Sequence, residues 1–403
     1  MPLIQDPMAV FAFATGVCAF VFWSSKQRWA KKFYSIIPSI VLVYYIPTFA
    51  SNLNIIPTSS PVYDWMKDYL LPFSLFILMI TMDVPSILKI GPKALGMMLF
   101  GTLGVVVGGP IAYLLFETYL PPDTWKGLAA LSGSWIGGGG NFAALKEAVG
   151  APDSLIGAII IVDTAVGYAW MGVLLFLVNY ERKFDRWNRA STQIIEEINQ
   201  RLQDFQETKG RPMTLSDAAV ILAIGFIGAV GSQKLATVIY DATHGAMATH
   251  LPLLASIFSQ FTWLVILIST LGVLLSFTPL RNIEYAGASK LGYAGLYLFL
   301  TSIGAKASLS GIKEAWILIL VGAVWIVIHV GFLFLGARLL RAPLFLVAVG
   351  SQANIGGAAS APIVAAAYYE SMAPVGLLMG ILGYLLGNYA GLLCAFLLRL
   401  VGG

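Results

Sequence analysis

The sequence predicts an all-α membrane protein, from three observations: its composition, its long apolar stretches and an internal repeat. Of the 403 residues, 58% are hydrophobic and 11% are charged, whereas soluble domains have about 45–50% and about 25%. A soluble protein of this length cannot bury so much apolar surface, so lipid must solvate much of it. The two cysteines, Cys18 and Cys394, lie far apart in apolar stretches and predict neither a disulfide framework nor a metal site.

Ten stretches of the chain are apolar enough for membrane spans, which need roughly 17–25 residues. They cover about 8–23, 33–50, 69–84, 94–116, 154–178, 214–239, 254–277, 288–305, 315–339 and 374–400. Two further apolar stretches, 126–149 and 343–370, are interrupted by glycines and polar residues, so we predict re-entrant hairpins there. No basic region precedes the first stretch, which is therefore predicted to be a retained span and not a signal peptide.

Lysine and arginine residues predict the orientation, because they concentrate in cytoplasmic loops. Placing the N-terminus outside puts most of them inside the cell, including those of segment 181–213. This excess of basic residues inside the cell requires each interrupted stretch to enter and leave the membrane on the same side. We therefore expect an inner-membrane protein in which 181–213 is a cytoplasmic linker helix, since Ile194, Ile198 and Leu202 have helical spacing. A regulatory or partner-binding role is the alternative for this segment.

The two halves of the chain resemble each other at a nearly constant offset. Gly133-Ser134 matches Gly350-Ser351, Ile136-Gly137-Gly138 matches Ile355-Gly356-Gly357, and Gly167-Tyr168 falls near Gly387-Asn388-Tyr389. We predict two repeats, 1–180 and 214–403, each with five spans and one hairpin. Because five is odd, the second repeat is inverted, which is the plan of many secondary carriers. A duplicated fold kept only for packing is the alternative.

Both hairpins are predicted to bind a substrate at their apices. Each glycine disfavours a continuous helix by about 1 kcal/mol relative to alanine, and unwound backbone at membrane depth needs partners. A cation suits free carbonyl groups, and an anionic group suits the N–H end of a half-helix. The predicted substrate-binding residues are Ser134, Gly138, Gly139, Gly140, Asn141, Gln352, Asn354, Gly356, Gly357 and Ser360. Close helix packing through small residues is the competing interpretation.

Asp163 lies in the middle of the fifth span, where a charge costs at least about 2.5–3.5 kcal/mol. We interpret this aspartate as a sodium ligand or a proton carrier; a protonated or amide-paired structural aspartate is the alternative. Sodium prefers hard oxygen ligands. The candidate sodium ligands are Asp163, Thr164, Asn141, Asn354 and Asn388. His329, alone on an apolar helix, is predicted to be structural.

Through Gly137-Gly138-Gly139-Gly140-Asn141 and Asn354-Ile355-Gly356-Gly357, the chain resembles the bacterial and plastid family known as domain of unknown function 819, over essentially its whole length. The first apex is also similar to those of 2-hydroxycarboxylate carriers and glutamate–sodium symporters. These resemblances imply an elevator mechanism, sodium coupling, hairpins in a moving transport domain, and a dimeric scaffold. The chain departs from those carriers at Ala358-Ala359, and the basic residue with which they hold a carboxylate has no clear match near the second apex.

The predicted function is therefore secondary active transport of a small organic anion or amphoteric metabolite. The expected partners are the substrate, the lipid bilayer and a second copy of the chain. Sodium is expected as the coupling ion, with no other cofactor and no nucleic acid. No nucleophile–base pair, metal motif or phosphate loop occurs in the sequence, so an enzyme is not expected. A proton-coupled carrier, a channel, a non-transporting scaffold and an intramembrane enzyme are the alternatives.

Overall fold

The computed structural model describes residues 2–34, 37–190, 211–307 and 315–402. The regular elements within these ranges are helices, and no strand occurs in them. The predicted all-α class is therefore confirmed. Of the predicted linker 181–213, a helix covers Glu181–Asn188. The pattern of Ile194, Ile198 and Leu202, which predicted the linker helix, lies outside the described residues.

The first half of the chain contains α1 to α11. Their bounds are α1 Pro7–Ser25, α2 Lys31–Tyr34, α3 Ser39–Asn52, α4 Pro61–Trp65, α5 Leu71–Ile80, α6 Val84–Lys89, α7 Pro92–Phe116, α8 Thr124–Gly137, α9 Gly139–Ala148, α10 Asp153–Leu177 and α11 Glu181–Asn188. The second half contains α12 Leu215–His250, α13 Pro252–Ile257, α14 Gln260–Ser276, α15 Ala288–Lys306, α16 Ala315–Leu340, α17 Leu344–Ile355, α18 Gly357–Tyr368 and α19 Ala373–Gly402.

Six helical segments of the described chain are long and apolar enough to cross a membrane, and they contain α1, α7, α10, α12, α16 and α19. The number rises to eight if two bent pairs each form one span, namely Arg28–Tyr34 with α3 and α14 with Pro279–Ala286. The longer helix of each pair lies on a predicted span, α3 on 33–50 and α14 on 254–277, whereas Pro279–Ala286 lies between two predicted spans. The other two predicted stretches, 69–84 and 288–305, fall on α5 and α15, which do not meet the same test. Each predicted stretch thus coincides with a helix, while six to eight qualify as spans by length and composition.

Both interrupted stretches form helical hairpins. The helices α8 and α9 meet at Gly138, which has a φ of 80°, and α17 and α18 meet at Gly356, beside Gly357 with a φ of 60°. In a continuous helix, the backbone positions of residues i and i+8 are separated by about 12 Å along the axis. Gln352 Nε2 nevertheless donates to Ser360 Oγ at 2.7 Å. The chain therefore turns back. The two positive-φ glycines are the ones that the repeat alignment pairs.

The unwinding at the first apex is smaller than the four-glycine run predicts. Only Gly138 lies outside the helices, because Gly137 ends α8 while Gly139 and Gly140 form the first turn of α9. One residue with a positive φ is enough to reverse the chain, and glycine adopts that conformation without steric cost. The other glycines of the run therefore remain in helices, and they leave space beside the apex because they have no side chain.

The helices pack as two groups, each of which draws on both halves of the chain. Most close contacts of a helix are within its own group: the first group contains α1, α3, α5, α12, α14 and α15, and the second contains α7 to α10 and α16 to α19. In the first group, Gly304 of α15 lies against the backbone of Tyr44 on α3. In the second, Gly104 of α7 lies against the backbone of His329 on α16. Both hairpins thus belong to the second group.

The helix α19 packs against both hairpins through one glycine-lined face. These glycines recur every three or four residues and so lie on one side of the helix: Gly376, Gly380, Gly383, Gly387 and Gly391. A Cβ atom on Gly383 would meet the carbonyl oxygen of Ile136 in α8, and would lie 3.3 Å from that of Ala353 in α17. The last turns of both first half-helices therefore rest on the backbone of α19.

Ion pairs hold the far end of the first hairpin. Lys146 Nζ lies 2.7 Å from Glu147 Oε1 and 2.6 Å from Asp153 Oδ1, at the start of α10. Lys67 Nζ, in the turn that precedes α5, lies 3.3 Å from Glu147 Oε2. The side chains of Lys146 and Glu147 are each 8% exposed, so their charges depend on each other for compensation. This cluster connects α9 to the start of α10 and to the turn that precedes α5.

We predict that Gly383→Ala lowers the stability of the purified protein by about 1–3 kcal/mol, the usual cost of overpacking. The added methyl group has no space between α19 and the carbonyl oxygen of Ile136. Gly231→Ala on α12 is the matched control, because nothing lies within 4 Å of a Cβ built there. Thermal unfolding in detergent should separate the two variants. Equal midpoints would contradict the close packing of α19 on the hairpins.

Candidate functional site

A cavity of about 700 Å³ lies at the boundary between the two helix groups. The first group contributes residues of α5 and α15 and the segment 38–40, and the second contributes both hairpin apices, α10 and Tyr384 of α19. The volume falls within the range of about 300–1,000 Å³ that is usual for small-molecule sites. Each group therefore forms part of the wall of one candidate ligand site.

Nine of the ten predicted substrate-binding residues line this cavity: Ser134, Gly138, Gly139, Gly140, Asn141, Gln352, Gly356, Gly357 and Ser360. Asn354 is buried behind the lining. Its Oδ1 accepts a hydrogen bond from Thr102 Oγ1 at 2.9 Å, and its Nδ2 donates to Gly350 O at 2.9 Å. Asn354 thereby joins α17 to α7, because its amide is used in packing the two helices.

The structure does not bring all five candidate sodium ligands to the cavity. Asp163, Thr164 and Asn141 line it, whereas Asn354 and Asn388 do not. Asn388 is buried between helices, where its Nδ2 donates to Ser269 Oγ at 2.7 Å and its Oδ1 accepts from Asn141 Nδ2 at 2.8 Å. Asn141 also donates to Tyr384 O at 2.9 Å. These amides form a chain that connects α9, α19 and α14.

The carboxylate of Asp163 is held by the last turn of α8. Its Oδ2 accepts from Ser134 Oγ at 2.7 Å, and its Oδ1 accepts from Trp135 Nε1 at 2.9 Å. Both donors are neutral, and the lining formed by the described residues contains no lysine, arginine or histidine. The carboxylate therefore meets the cavity with its charge uncompensated by a side chain, while each oxygen retains a further lone pair. In the described ranges, no group of three or more His, Cys, Asp or Glu residues could hold a metal ion.

Two half-helices begin at the cavity. Gly139, Gly140 and Asn141 in the first turn of α9 line it, as do Ala358, Ala359 and Ser360 in the first turn of α18. The first N–H groups of a helix have no partner within the helix, and the aligned peptide dipoles make that end positive. Two sets of backbone donors thus adjoin the same space as the Asp163 carboxylate.

Gln352 contributes an unused acceptor to the cavity lining. The residue is 2% exposed, and its Nε2 donates to Ser360 Oγ at 2.7 Å. Its Oε1 is buried and has no hydrogen-bond partner. An unpaired buried acceptor costs about 1–3 kcal/mol. This residue of the cavity lining therefore has one buried acceptor without a partner, and a ligand donor would satisfy it.

Tyr384 lies beside both apices and was missed by the sequence prediction. Side chains built on Gly138 and Gly357 would meet its Cε1 at 3.5 Å and 3.9 Å, and its hydroxyl accepts from Tyr293 Oη at 2.8 Å. Tyr168 and Tyr297 also line the cavity and were missed. The internal repeat contained a signal for Tyr384. The offset from Gly167-Tyr168 to Gly383-Tyr384 is nearly that from Ser134 to Ser351 in the hairpins. The match predicted at Asn388 agrees less well with that offset.

The helix α10 connects the two hairpins through equivalent serines. Asp163 accepts from Ser134 in the first hairpin, and Trp170 Nε1 donates to Ser351 Oγ in the second at 2.8 Å. His329 Nδ1 lies 2.9 Å from the carbonyl oxygen of Gly101, which only accepts, and Nε2 lies 2.9 Å from Ser351 Oγ. Both ring nitrogens are thus used between helices, in agreement with the structural role predicted for His329.

Comparison with known proteins gives two findings. The profile of a family described as "Protein of unknown function (DUF819)" matches residues 12–401. An uncharacterized membrane protein, YjcL of Bacillus subtilis (strain 168), is 28% identical over 352 residues, which cover 85% of each chain. The match spans both hairpins and all the cavity-lining residues. It confirms the resemblance predicted from the two apices.

We predict energetic coupling between Asn141 and Asn388, measured by a double-mutant cycle in thermal or denaturant unfolding. Each single change to alanine should cost about 1–3 kcal/mol, because it leaves a buried amide without its partner. The double variant should cost less than the sum by about 0.5–3 kcal/mol.

The control for this cycle is Asn179→Ala, since Asn179 is exposed and donates to Phe176 O within its own helical segment. Its effect should be within about 0.5 kcal/mol and should add to that of Asn388→Ala. Strict additivity of the Asn141 and Asn388 changes would show that their hydrogen bond contributes nothing to stability.

Proposed function

Because the chain belongs to the DUF819 family of membrane proteins of unknown function, we propose its activity from the site: secondary active transport of a small organic anion or amphoteric metabolite across the inner membrane. The observation that carries this proposal is the position of the cavity. It lies between two helix groups, and both broken hairpins end in it. A carrier requires such a site, which is exposed to one side by relative movement of its walls.

The broken hairpins favour a transporter over a membrane scaffold. Backbone that leaves the helix at membrane depth is tolerated where it is buried in protein or lines a wet cavity. Here the breaks at Gly138 and Gly356 line the cavity. A scaffold that only packs helices needs no such breaks. An enzyme would need a paired acid and base, whereas Asp163 is the one acidic or basic side chain among the lining residues that the structure describes.

An elevator mechanism is the movement we propose. The second helix group, with both hairpins, α10 and α19, would move as one body against the first group. Its internal contacts support this, because α10 and α19 each contact both hairpins through hydrogen bonds or close backbone packing. The finer architecture belongs to the same proposal: ten spans and two re-entrant hairpins, in inverted repeats 1–180 and 214–403, with the N-terminus outside, 181–213 in the cytoplasm, and a homodimer.

Sodium is the proposed coupling ion, with Asp163 as its charged ligand. The fit rests on an uncompensated carboxylate beside further oxygens, since Ser134 Oγ bonds to it and Thr164 follows it in the cavity lining. Hard cations prefer carboxylate, hydroxyl and carbonyl oxygens. A proton carried by Asp163 is the alternative, and it requires no further ligand.

We predict that sodium raises the unfolding temperature of the purified wild-type protein relative to potassium or choline at equal ionic strength. Binding to the folded state stabilises it by mass action, by about 2.7 kcal/mol at a hundredfold excess over Kd. Asp163→Asn should abolish this sodium-specific rise. Asp241→Asn, the same change on the exposed side of α12, should retain it.

If the Asp163→Asn variant retained the sodium effect, Asp163 would not be the sodium ligand. Absence of a sodium effect in the wild type, combined with a pH-dependent ligand response that Asp163→Asn removes, would favour proton coupling. Absence of both responses would count against a coupled carrier.

A further inference from the structure

We infer that the substrate is a neutral zwitterion, with one carboxylate and one protonated amine, and that Gln352 Oε1 accepts a hydrogen bond from the amine. This inference rests on the proposed function, because it assigns a substrate class to the same cavity. It follows from the kinds of donor and acceptor that the cavity presents, taken together.

The acceptor side of the argument starts from Gln352. Its Nε2 donates to Ser360 Oγ, which holds the side chain in place, and its buried Oε1 has no partner. Such an oxygen is satisfied by an N–H group of a ligand. A carboxylate placed there would instead meet a second acceptor. The second apex therefore selects for a donor group, and a protonated amine is the strongest donor that a small metabolite carries.

The donor side of the argument comes from the half-helices. The first turns of α9 and α18 open into the cavity, and free N–H groups at helix N-termini bind carboxylates. Among the described residues of the lining there is no lysine, arginine or histidine, so these backbone groups are the donors through which that lining would hold an anion. They suit one carboxylate. A second carboxylate on the substrate would lack a cationic side chain and would meet the charge of Asp163.

The remaining lining suits an uncharged substrate body. Leu75, Leu78 and Leu296 form apolar wall, which favours burial of a hydrocarbon side chain. The rings of Tyr293 and Tyr384 are held together by their hydroxyl groups, and aromatic faces attract a nearby ammonium group. The four features therefore agree on one class, in which a single carboxylate and an amine flank an uncharged body.

The test compares ligands that share a carbon skeleton, added to the full-length protein in sodium buffer. Three sets serve: alanine, lactate and propionate; leucine, 2-hydroxyisocaproate and isocaproate; phenylalanine, phenyllactate and phenylpropionate. Glutamate, aspartate and succinate test the second carboxylate. In at least one set, the amino acid should stabilise the protein with an apparent Kd at least about tenfold below that of its two analogues and of the dicarboxylates.

Gln352→Met removes the acceptor with little change in volume, and it should reduce that preference to below about threefold. Gln260→Met makes the same change at an exposed position of α14 and should preserve the preference. A hydroxy acid, an unsubstituted acid or a dicarboxylate that binds as tightly as every amino acid would overturn the inference. So would an undiminished preference in Gln352→Met.

The outcomes also separate this inference from the proposed function. If sodium stabilises the wild type and no amino acid does, the zwitterion inference is wrong while the coupled carrier stands. If an amino acid binds selectively and sodium has no effect, the substrate class stands while sodium coupling fails. If neither sodium nor any amino acid stabilises the protein, both fail.

Discussion

The close approach of α19 to both hairpins is the contact on which the rest of the site depends. At Gly383 the helix backbone meets the carbonyl ends of α8 and α17, at Ile136 and Ala353. A side chain there would separate the two half-helices and widen the space between the apices. One glycine-lined face thus places Gly138 and Gly357, which come from different halves of the chain, beside the same edge of the Tyr384 ring. The geometry of the cavity follows from that placement.

Polar side chains then orient the helices that the glycines bring into contact. The helix α10 bonds to the first hairpin through Asp163 and Ser134, and to the second through Trp170 and Ser351. In a low-dielectric interior such hydrogen bonds are strong, and unpaired polar groups are costly. Most of the polar groups around the site are paired in this way. The Gln352 oxygen, which is not, therefore stands out as a group suited to a ligand.

The combination of charges is consistent with both proposed ligands. Asp163 faces the cavity with neutral donors alone, so it suits a cation, while the N-termini of α9 and α18 suit an anion. A site with both features can bind an ion and a zwitterion together without a net charge in the membrane. It would bind either partner less well alone, which is the energetic basis of coupling between two ligands.

Hydropathy, glycine runs and a charge in an apolar span are local signals, so the helical class, the positions of the apolar stretches, the two hairpins and the place of Asp163 within an apolar helix could all be read from the sequence. Which polar groups face the cavity depends on how the helices pack, and that could not be predicted from the sequence. Asn354 and Asn388 look equivalent to Asn141 in the sequence, yet they bond to Thr102 and Ser269 on other helices. Tyr293 and Tyr384 reach the site because helix packing sets the direction of each side chain, and contacts between distant segments leave no local pattern.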